Sequence, residues 1–166
     1  NRRYYMTNDK IVIYTDGAAK GNPGKAGWGA VFLAGNKVSE IGGYAEHATN
    51  NQMELTAPIE ALKYVKNDMS KRHFDIREIE IVSDSKYVIL GITEWIFNWQ
   101  KNNWRNANKK PILNRELWEE LYSLTEELKP KWTYVKGHNE DKYNERADLI
   151  ATSFAEGGGL DLKNKN

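Results

Sequence analysis

The stretch IVIYTDG, residues 11–17, joins a run of β-branched and aromatic residues to one carboxylate, Asp16, and an immediate glycine. Residues of these types favour a buried strand. We therefore expect a strand over residues 9–16 with Asp16 at its end, followed by a turn-rich loop through Gly24. One carboxylate at a strand end is weak evidence for a function, because most such aspartates form turns. Its meaning depends on other acidic residues at comparable positions.

The composition is that of one ordinary globular domain. The chain has 166 residues, 40% hydrophobic and 28% charged, which is enough for a substantial core. A formal net charge of +1 provides no overall attraction for a polyanion, so any nucleic-acid site must be a local patch. The absence of cysteine excludes disulfides and thiolate metal ligands and fits a reducing compartment. We expect a cytoplasmic protein, with no membrane span and no signal peptide.

Changes in the hydrophobic period predict an α/β domain with the order βββαβ, a group of helices, then βα. The predicted strands are 9–16, 27–33, 37–44, 78–83 and 132–135. The predicted helices are 50–66, 85–92, 95–102, 114–128 and 143–155. We expect a lead-in over residues 1–8, one domain over 9–156 and a flexible tail over 157–166.

Local signals predict where the helices begin and break. The predicted N-caps are Asn50 or Asn51, Thr93 and Asn114. Gly91 is expected to break the helical path before Thr93. Pro58 lies inside the first predicted helix, where it cannot donate to the carbonyl of Glu54. We therefore expect a bend or a loosened turn beside Glu54.

Four acidic residues lie at positions that could converge. Asp84 ends the fourth predicted strand as Asp16 ends the first, Glu54 is near the start of the first helix, and Asp148 is in the last helix. If the two strands are parallel neighbours, both aspartates point from the sheet edge where open α/β sheets bind ligands. Clustered carboxylates need a cation, and an all-oxygen site suits Mg²⁺ or Mn²⁺. Taken singly, each residue is explained as well by a cap or a turn.

Five motifs resemble those of the type 1 ribonuclease H family and occur in the family's order over residues 9–155. They are residues 14–18 with 21–24, 49–55, 83–88, 132–138 and 144–148. The resemblance implies a five-stranded mixed sheet of order 3-2-1-4-5, flanked by helices and carrying a basic protrusion. It also implies a monomeric endonuclease, without an obligate protein partner, that hydrolyses the RNA strand of an RNA–DNA hybrid. The products would carry 5′-phosphate and 3′-hydroxyl ends.

The resemblance assigns roles to the acidic residues. Asp16 would bridge two Mg²⁺ ions, Glu54 and Asp84 would bind the ion near the leaving oxygen, and Asp148 would complete the ion that activates water. Such a pair of ions can hold both the attacking and the leaving oxygens of a phosphoryl transfer.

Two further residues near the end of the domain have a functional and a plainer interpretation. His138 resembles the family histidine that assists proton movement or product release, and otherwise it is a solvated loop histidine. Glu145 could tune metal occupancy or simply solvate the helix surface.

The same resemblance implies contacts to both strands of the hybrid. The expected RNA contacts are Gly17, Ala19, Asn22, Asn50, Ser85 and Lys86. The expected DNA contacts are Thr49, Asn51, Trp95, Lys101, Lys109, Lys110 and Asn114. Among these, Thr49 and Asn114 resemble the family's pocket for a DNA phosphate. Turn and cap chemistry explains several of these residues equally well.

Residues 95–115 contain five basic side chains and no acidic one, interleaved with three tryptophans. That mixture suits a nucleic-acid backbone channel. We expect Trp99 to pack in the core and Trp95 to face DNA. The chain departs from the family pattern at four positions that bear on affinity and cleavage preference: His47, Gln52, Lys86 and Leu113.

Three other functions compete with the hybrid nuclease. They are a polynucleotidyl transferase or DNA nuclease of the wider superfamily, a ribonuclease H domain of a reverse-transcriptase-like protein, and a hybrid-binding module without activity. The basic segment and the GNPG loop of residues 21–24 argue against the first. The complete acidic set argues against the last, because an acidic cluster without metal would repel phosphates.

Overall fold

The computed structural model describes residues 10–69, 78–137 and 141–163. They form one five-stranded sheet of order β3-β2-β1-β4-β5, which confirms the predicted order. The strands are β1 (Lys10–Ala19), β2 (Gly24–Ala34), β3 (Lys37–Ala48), β4 (Glu78–Ser83) and β5 (Lys131–Tyr134). The first three pair antiparallel, whereas β4 pairs parallel with both β1 and β5. The sheet is therefore mixed, with β1 at its centre.

Five helices flank this sheet. They are α1 (Asn50–Tyr64), α2 (Lys86–Leu90), α3 (Ile96–Lys101), α4 (Arg115–Leu128) and α5 (Lys142–Ala155). Ile11 and Ile13 of β1 pack in the main core with α1 and α4. Tyr14, on the opposite face of the strand, packs with the α5 residue Ile150. Since successive residues of a strand point to opposite faces, α1 and α5 cover the two sides of the sheet. None of the described helices is long and apolar enough to cross a membrane.

The central strand is longer than predicted. β1 continues three residues past Asp16 because Gly17, Ala18 and Ala19 pair with β2, so the loop before β2 covers only residues 20–23. Its pairing with β4 stops earlier, at Thr15 opposite Ser83. Asp16 therefore lies inside a strand, at the point where that strand loses one of its two neighbours.

The predicted capping residue of α1 is wrong, whereas Asn114 is the N-cap residue of α4 as predicted. Thr49, not Asn50 or Asn51, caps α1, and its hydroxyl accepts from the backbone N–H of Gln52. Asn114 does precede α4, but with φ of 61° its side chain makes no cap bond. In both cases the backbone geometry decides whether a side chain bonds the start of the helix. Residue type alone does not give that geometry.

The helical path does not break at Gly91. α2 runs through a π-helical turn over Gly91–Trp95 into α3, and the Thr93 hydroxyl donates back to the Ile89 carbonyl. Gly91 is required by packing instead, because a β-carbon there would lie 2.0 Å from the Trp118 ring. α1 likewise continues through Pro58 to Tyr64 and then a π-helical turn, Val65–Met69. The bend expected beside Glu54 stays a prediction.

The described part of the predicted flexible tail contacts the domain, and its flexibility stays a prediction. Leu160 and Leu162 join the cluster under α5. The backbone N–H of Lys163 donates to Glu40 Oε1 at 2.8 Å, and the backbone N–H of Glu40 donates to the Lys163 carbonyl. The contacts of the domain thus reach residue 163, while the predicted lead-in, residues 1–8, and residues 164–166 lie outside the described ranges.

Glu40 explains why this segment is held. Its carboxylate is 2% exposed, and Arg146 of α5 donates to it from Nε at 2.7 Å and from Nη2 at 3.0 Å. Burial alone would raise the pKa of Glu40, but the hydrogen bonds from Arg146 and Lys163 outweigh it and lower that pKa. The two-pronged ion pair, which we call the Glu40–Arg146 clasp, therefore fixes α5 on the sheet edge.

We predict that Arg146→Ala lowers the free energy of unfolding by about 3 kcal/mol, because it leaves a buried carboxylate without its partner. Denaturant unfolding at pH 7 measures the change. The loss should shrink as the pH falls through the lowered pKa of Glu40, since protonation removes the charge. Lys20→Ala is the control, because its ion pair with Glu156 is exposed and 3.7 Å long. Equal effects of the two substitutions would contradict the prediction.

Candidate active site

Three of the four predicted carboxylates meet at one edge of the sheet. Oxygen atoms of Asp16, Glu54 and Asp84 all lie within 4.8 Å of one another. Asp16 is 5% exposed and Glu54 is 9% exposed, whereas Asp84 is half-buried. We call this group the acidic cluster.

The sheet and one glycine position the acidic cluster. Thr15 and Ser83 form the last pair between parallel β1 and β4, so Asp16 and Asp84 follow at the same edge. Glu54 comes from α1, which lies very close to β1. A β-carbon on Gly17 would lie 2.5 Å from the Glu54 backbone nitrogen. Only glycine permits this approach, and it brings Glu54 beside Asp16.

The acidic cluster is electrostatically unfavourable by itself. Burial raises the pKa of Asp16, and the charges of Glu54 and Asp84 raise it further. Burial also raises the pKa of Glu54, with further contributions from Asp84 and Asp148. The Gly17 N–H, which donates to Asp16 Oδ1 at 2.9 Å, opposes both shifts, and the hydrogen bond with Asp16 also lowers the pKa of Glu54. Such a group of oxygens favours a bound proton or a cation.

The remaining two acidic residues occupy different surroundings on α5. Asp148 is half-buried outside the acidic cluster, yet near enough for its charge to raise the pKa of Glu54. Glu145 is exposed and lines a separate cavity of about 250 Å³ with Val38 and Leu149. Its role in metal occupancy stays a prediction, and His138 lies outside the described residues.

Asn144, for which the sequence indicated no role, contacts the acidic cluster. This residue is 2% exposed and its Nδ2 donates to Asp84 Oδ2 at 3.5 Å. Gly137 bounds the same carboxylate, since a β-carbon there would lie 3.0 Å from Asp84 Oδ2. Asn144 precedes Asp148 by four residues, so both lie on one face of α5. That spacing was the available signal.

The predicted RNA contacts surround the acidic cluster. Gly17 and Ala19 continue β1 beyond Asp16, and Ser85 and Lys86 follow Asp84 directly. Ser85 caps α2, with its Oγ accepting from the Val88 N–H at 3.2 Å.

Asn22 and Asn50 lie in contact with each other. Asn22 Oδ1 accepts from the backbone N–H of Asn50 at 2.9 Å, which joins the β1–β2 turn to the start of α1. Both side chains are exposed. Cap-like bonding and an exposed amide therefore coexist there, as the sequence allowed.

The predicted DNA contacts lie on the α1 start and on the segment from α3 to α4. Trp95 is 38% exposed and stacks at an angle on Tyr87 and Trp99, which is itself packed into the core. Trp99 therefore packs against the core as expected, whereas the contact of Trp95 with DNA stays a prediction. Lys101 and Lys109 line an open cavity of about 740 Å³, and Lys110 and Asn51 are also exposed.

The positions that depart from the family pattern differ in their surroundings. Leu113 is 80% exposed and His47 is exposed near the end of β3. Lys86 holds its Nζ 5.7 Å from the centre of the Tyr134 ring. Gln52 instead bonds both Thr49 and Asn114, the two members of the expected phosphate pocket.

Comparisons with known proteins agree with this geometry. A family model described as RNase H matches residues 8–156. A ribonuclease H of Ruthia magnifica subsp. Calyptogena magnifica is 46% identical over 144 residues, covering 86% of this chain and 93% of that protein. A ribonuclease H of Acetivibrio thermocellus is 44% identical over 144 residues, covering 86% of this chain and 92% of that protein.

Solved structures are similar as well. RNase H1 of the archaeon Halobacterium salinarum NRC-1 is 28% identical with a TM-score of 0.63, covering 90% of this chain and 99% of that one. LC11-RNase H1, solved in complex with an RNA/DNA hybrid, is 28% identical with a TM-score of 0.65, covering 89% of this chain and 97% of that one.

We predict that Asp16→Asn stabilises the protein by about 1–3 kcal/mol at pH 7.5 in EDTA, because folding of the wild type must either protonate the Asp16 carboxyl or bury its charge. The raised pKa of Asp16 fixes the sign of the pH dependence. The destabilising effect of Asp16 is absent below the ordinary pKa of an aspartate and grows as the pH rises from there towards the raised value.

Denaturant unfolding of both proteins from pH 4 to 8 measures this difference, and a parallel Mg²⁺ titration should stabilise the wild type more than the variant. Asp68→Asn is the control, since Asp68 is exposed and lies near Tyr64, away from the acidic cluster. A loss of stability on Asp16→Asn in EDTA would contradict the proposed repulsion.

Proposed function

The chain belongs to the ribonuclease H family, and on that premise we propose that it cleaves with two Mg²⁺ ions held by Asp16, Glu54, Asp84 and Asp148. The enzyme is an endoribonuclease that hydrolyses the RNA strand of RNA–DNA hybrids. The observation that supports the metal assignment is the acidic cluster, whose oxygens lie within 4.8 Å of one another.

The donor set of this chain fits a hard divalent cation. All the side-chain donors are carboxylate oxygens, which Mg²⁺ and Mn²⁺ prefer over softer ligands. Burial and mutual repulsion raise the pKa values of Asp16 and Glu54, so a cation relieves the charge that folding concentrates there. When bound, a pair of such ions activates water and stabilises the leaving oxygen of a phosphodiester.

Within this proposal the protein's own groups divide the work. An oxygen of Asp16 lies within 4.8 Å of oxygens of both Glu54 and Asp84, and Asp16 would be the ligand that the two ions share. Asn144 donates to Asp84 and holds that carboxylate in place. Asp148 is carried by α5, on the side of the sheet opposite to α1, and its negative charge would help to hold the cations. The products carry 5′-phosphate and 3′-hydroxyl ends.

The surface around the acidic cluster suits a two-stranded substrate. The RNA strand would contact the exposed amides of Asn22 and Asn50 and the Ser85 residue that follows Asp84. Short polar side chains of this kind can recognise a 2′-hydroxyl. The exposed cations of residues 101–110 offer phosphate contacts without any acidic neighbour in that segment. The RNA strand therefore lies over the carboxylates and the DNA strand over the basic segment. The monomeric state and the cytoplasmic location remain predictions.

A cleavage assay tests the proposed metal dependence and specificity. We expect hydrolysis of the RNA strand of an RNA–DNA hybrid in Mg²⁺, and none of duplex RNA, duplex DNA or single-stranded RNA. EDTA should abolish cleavage, and Asp16→Asn should abolish it while hybrid binding persists. Retained turnover by that variant would contradict the assignment of Asp16 to the metals.

We further predict that replacing Lys101, Lys109 and Lys110 together by alanine weakens hybrid binding and flattens its salt dependence. Each lost phosphate contact should reduce the slope of log K against log salt by about one unit. Binding measured between low and moderate salt gives this slope.

The matched control replaces three other lysines, Lys10, Lys37 and Lys131. Each begins a strand at the sheet edge opposite to the acidic cluster, as the strand pairings show. The control should keep the wild-type slope. If both triple variants change the slope equally, the basic segment is not the DNA contact.

A further inference from the structure

Gln52 belongs to a hydrogen-bond network that joins three separate parts of the chain. Its Oε1 accepts from the Thr49 backbone N–H at 2.8 Å, and its own backbone N–H donates to Thr49 Oγ1 at 3.1 Å. Its Nε2 donates to Asn114 Oδ1 at 3.3 Å. Asn114 Nδ2 in turn donates to the Tyr87 hydroxyl at 3.1 Å. The Gln52 amide thus links the start of α1 to the start of α4. Gln52 precedes Glu54 by two residues.

The direction of every bond in this network is fixed. The Thr49 backbone N–H can only donate, so Gln52 must present Oε1 to it and Nε2 to Asn114. Asn114 must then accept through Oδ1, which turns its NH₂ group to Tyr87. At the far end, Trp118 Nε1 is also a donor only and bonds the same Tyr87 hydroxyl at 3.1 Å.

This bonding leaves hydroxyl and amide protons that can be donated to a ligand. Thr49 Oγ1 accepts from Gln52, so its own hydroxyl proton is available. Tyr87 accepts twice, so its phenolic proton is available too. The second Nδ2 proton of Asn114 is a third donor. A phosphate, which offers only acceptors at neutral pH, matches this arrangement.

We propose that Gln52 is a positioning residue that holds Asn114 and Thr49 with their protons towards a phosphate of the DNA strand. The inference rests on the proposed hybrid contacts of Thr49 and Asn114, and it adds a residue that does not itself contact the substrate. Without Gln52, the Tyr87 hydroxyl can donate to Asn114 Oδ1 and the amide can turn over. Its oxygen then faces the phosphate, and attraction becomes repulsion.

The test scans single methylphosphonates along the DNA strand of a hybrid, because each substitution neutralises one phosphate. Binding is measured with Asp16→Asn proteins so that the RNA stays intact. We expect one position to cost about tenfold in affinity, as befits hydrogen bonds to a charged group. Asn114→Ala should abolish that position-specific penalty, which establishes the pocket independently of Gln52.

Two variants of Gln52 then separate positioning from folding. Gln52→Met loses both side-chain bonds at similar volume, whereas Gln52→Glu keeps the acceptor for the Thr49 N–H but cannot donate to Asn114. Both should abolish the same penalty, and the Glu variant should do so without loss of thermal stability. Thr56→Val, which removes a bond to the Gln52 carbonyl one turn later, is the control and should keep the penalty.

The outcomes distinguish the inference from its premise. If Asn114→Ala leaves every penalty unchanged, the phosphate pocket is wrong and the inference fails with it. If Asn114→Ala abolishes the penalty but Gln52→Met and Gln52→Glu retain it, the pocket stands and the positioning role of Gln52 is overturned.

Discussion

The close contact between α1 and β1 at Gly17 is the constraint on which the active site depends. No side chain fits between Gly17 and the Met53–Glu54 backbone, so the helix start lies directly against the strand. That contact carries Glu54 to Asp16, at the level where β1 loses β4 as a neighbour and Asp84 follows. The strands β1 and β4 thus position two carboxylates, Asp16 and Asp84, and α1 supplies the third.

A site built from repelling groups needs support from the rest of the fold. Burial and mutual repulsion disfavour the ionised form of the acidic cluster. Two sets of hydrogen bonds stabilise the helices that carry Glu54 and Asp148. Thr49 and Gln52 close the start of α1 with reciprocal bonds. The Glu40–Arg146 clasp ties α5, which carries Asp148, to the edge strand β3. These contacts thus stabilise the helices that carry the repelling carboxylates, as is common where function conflicts with stability.

The strands and helices themselves could be predicted from the sequence because their signals are local. The apolar run before Asp16, the change of period after Asn50 and the four-residue spacings of the later helices each act within a few positions. The motifs placed Asp16, Glu54 and Asp84 in one site for the same reason, since each is bound to a recognisable local element. The composition also excluded thiolate ligands, because the chain has no cysteine, and clustered carboxylates favour a hard cation.

Only the tertiary structure decided how distant residues complete these elements. Asn144 reaches Asp84 across 60 positions, Gln52 reaches Asn114 across 62, and Arg146 reaches Glu40 across 106. No periodicity spans such separations. The sequence alone determined which elements form and which carboxylates they carry. Packing determined that Gly17 admits α1, that the segment before residue 163 folds back onto Glu40, and that Gln52 turns a neighbouring amide, because these depend on which surfaces meet.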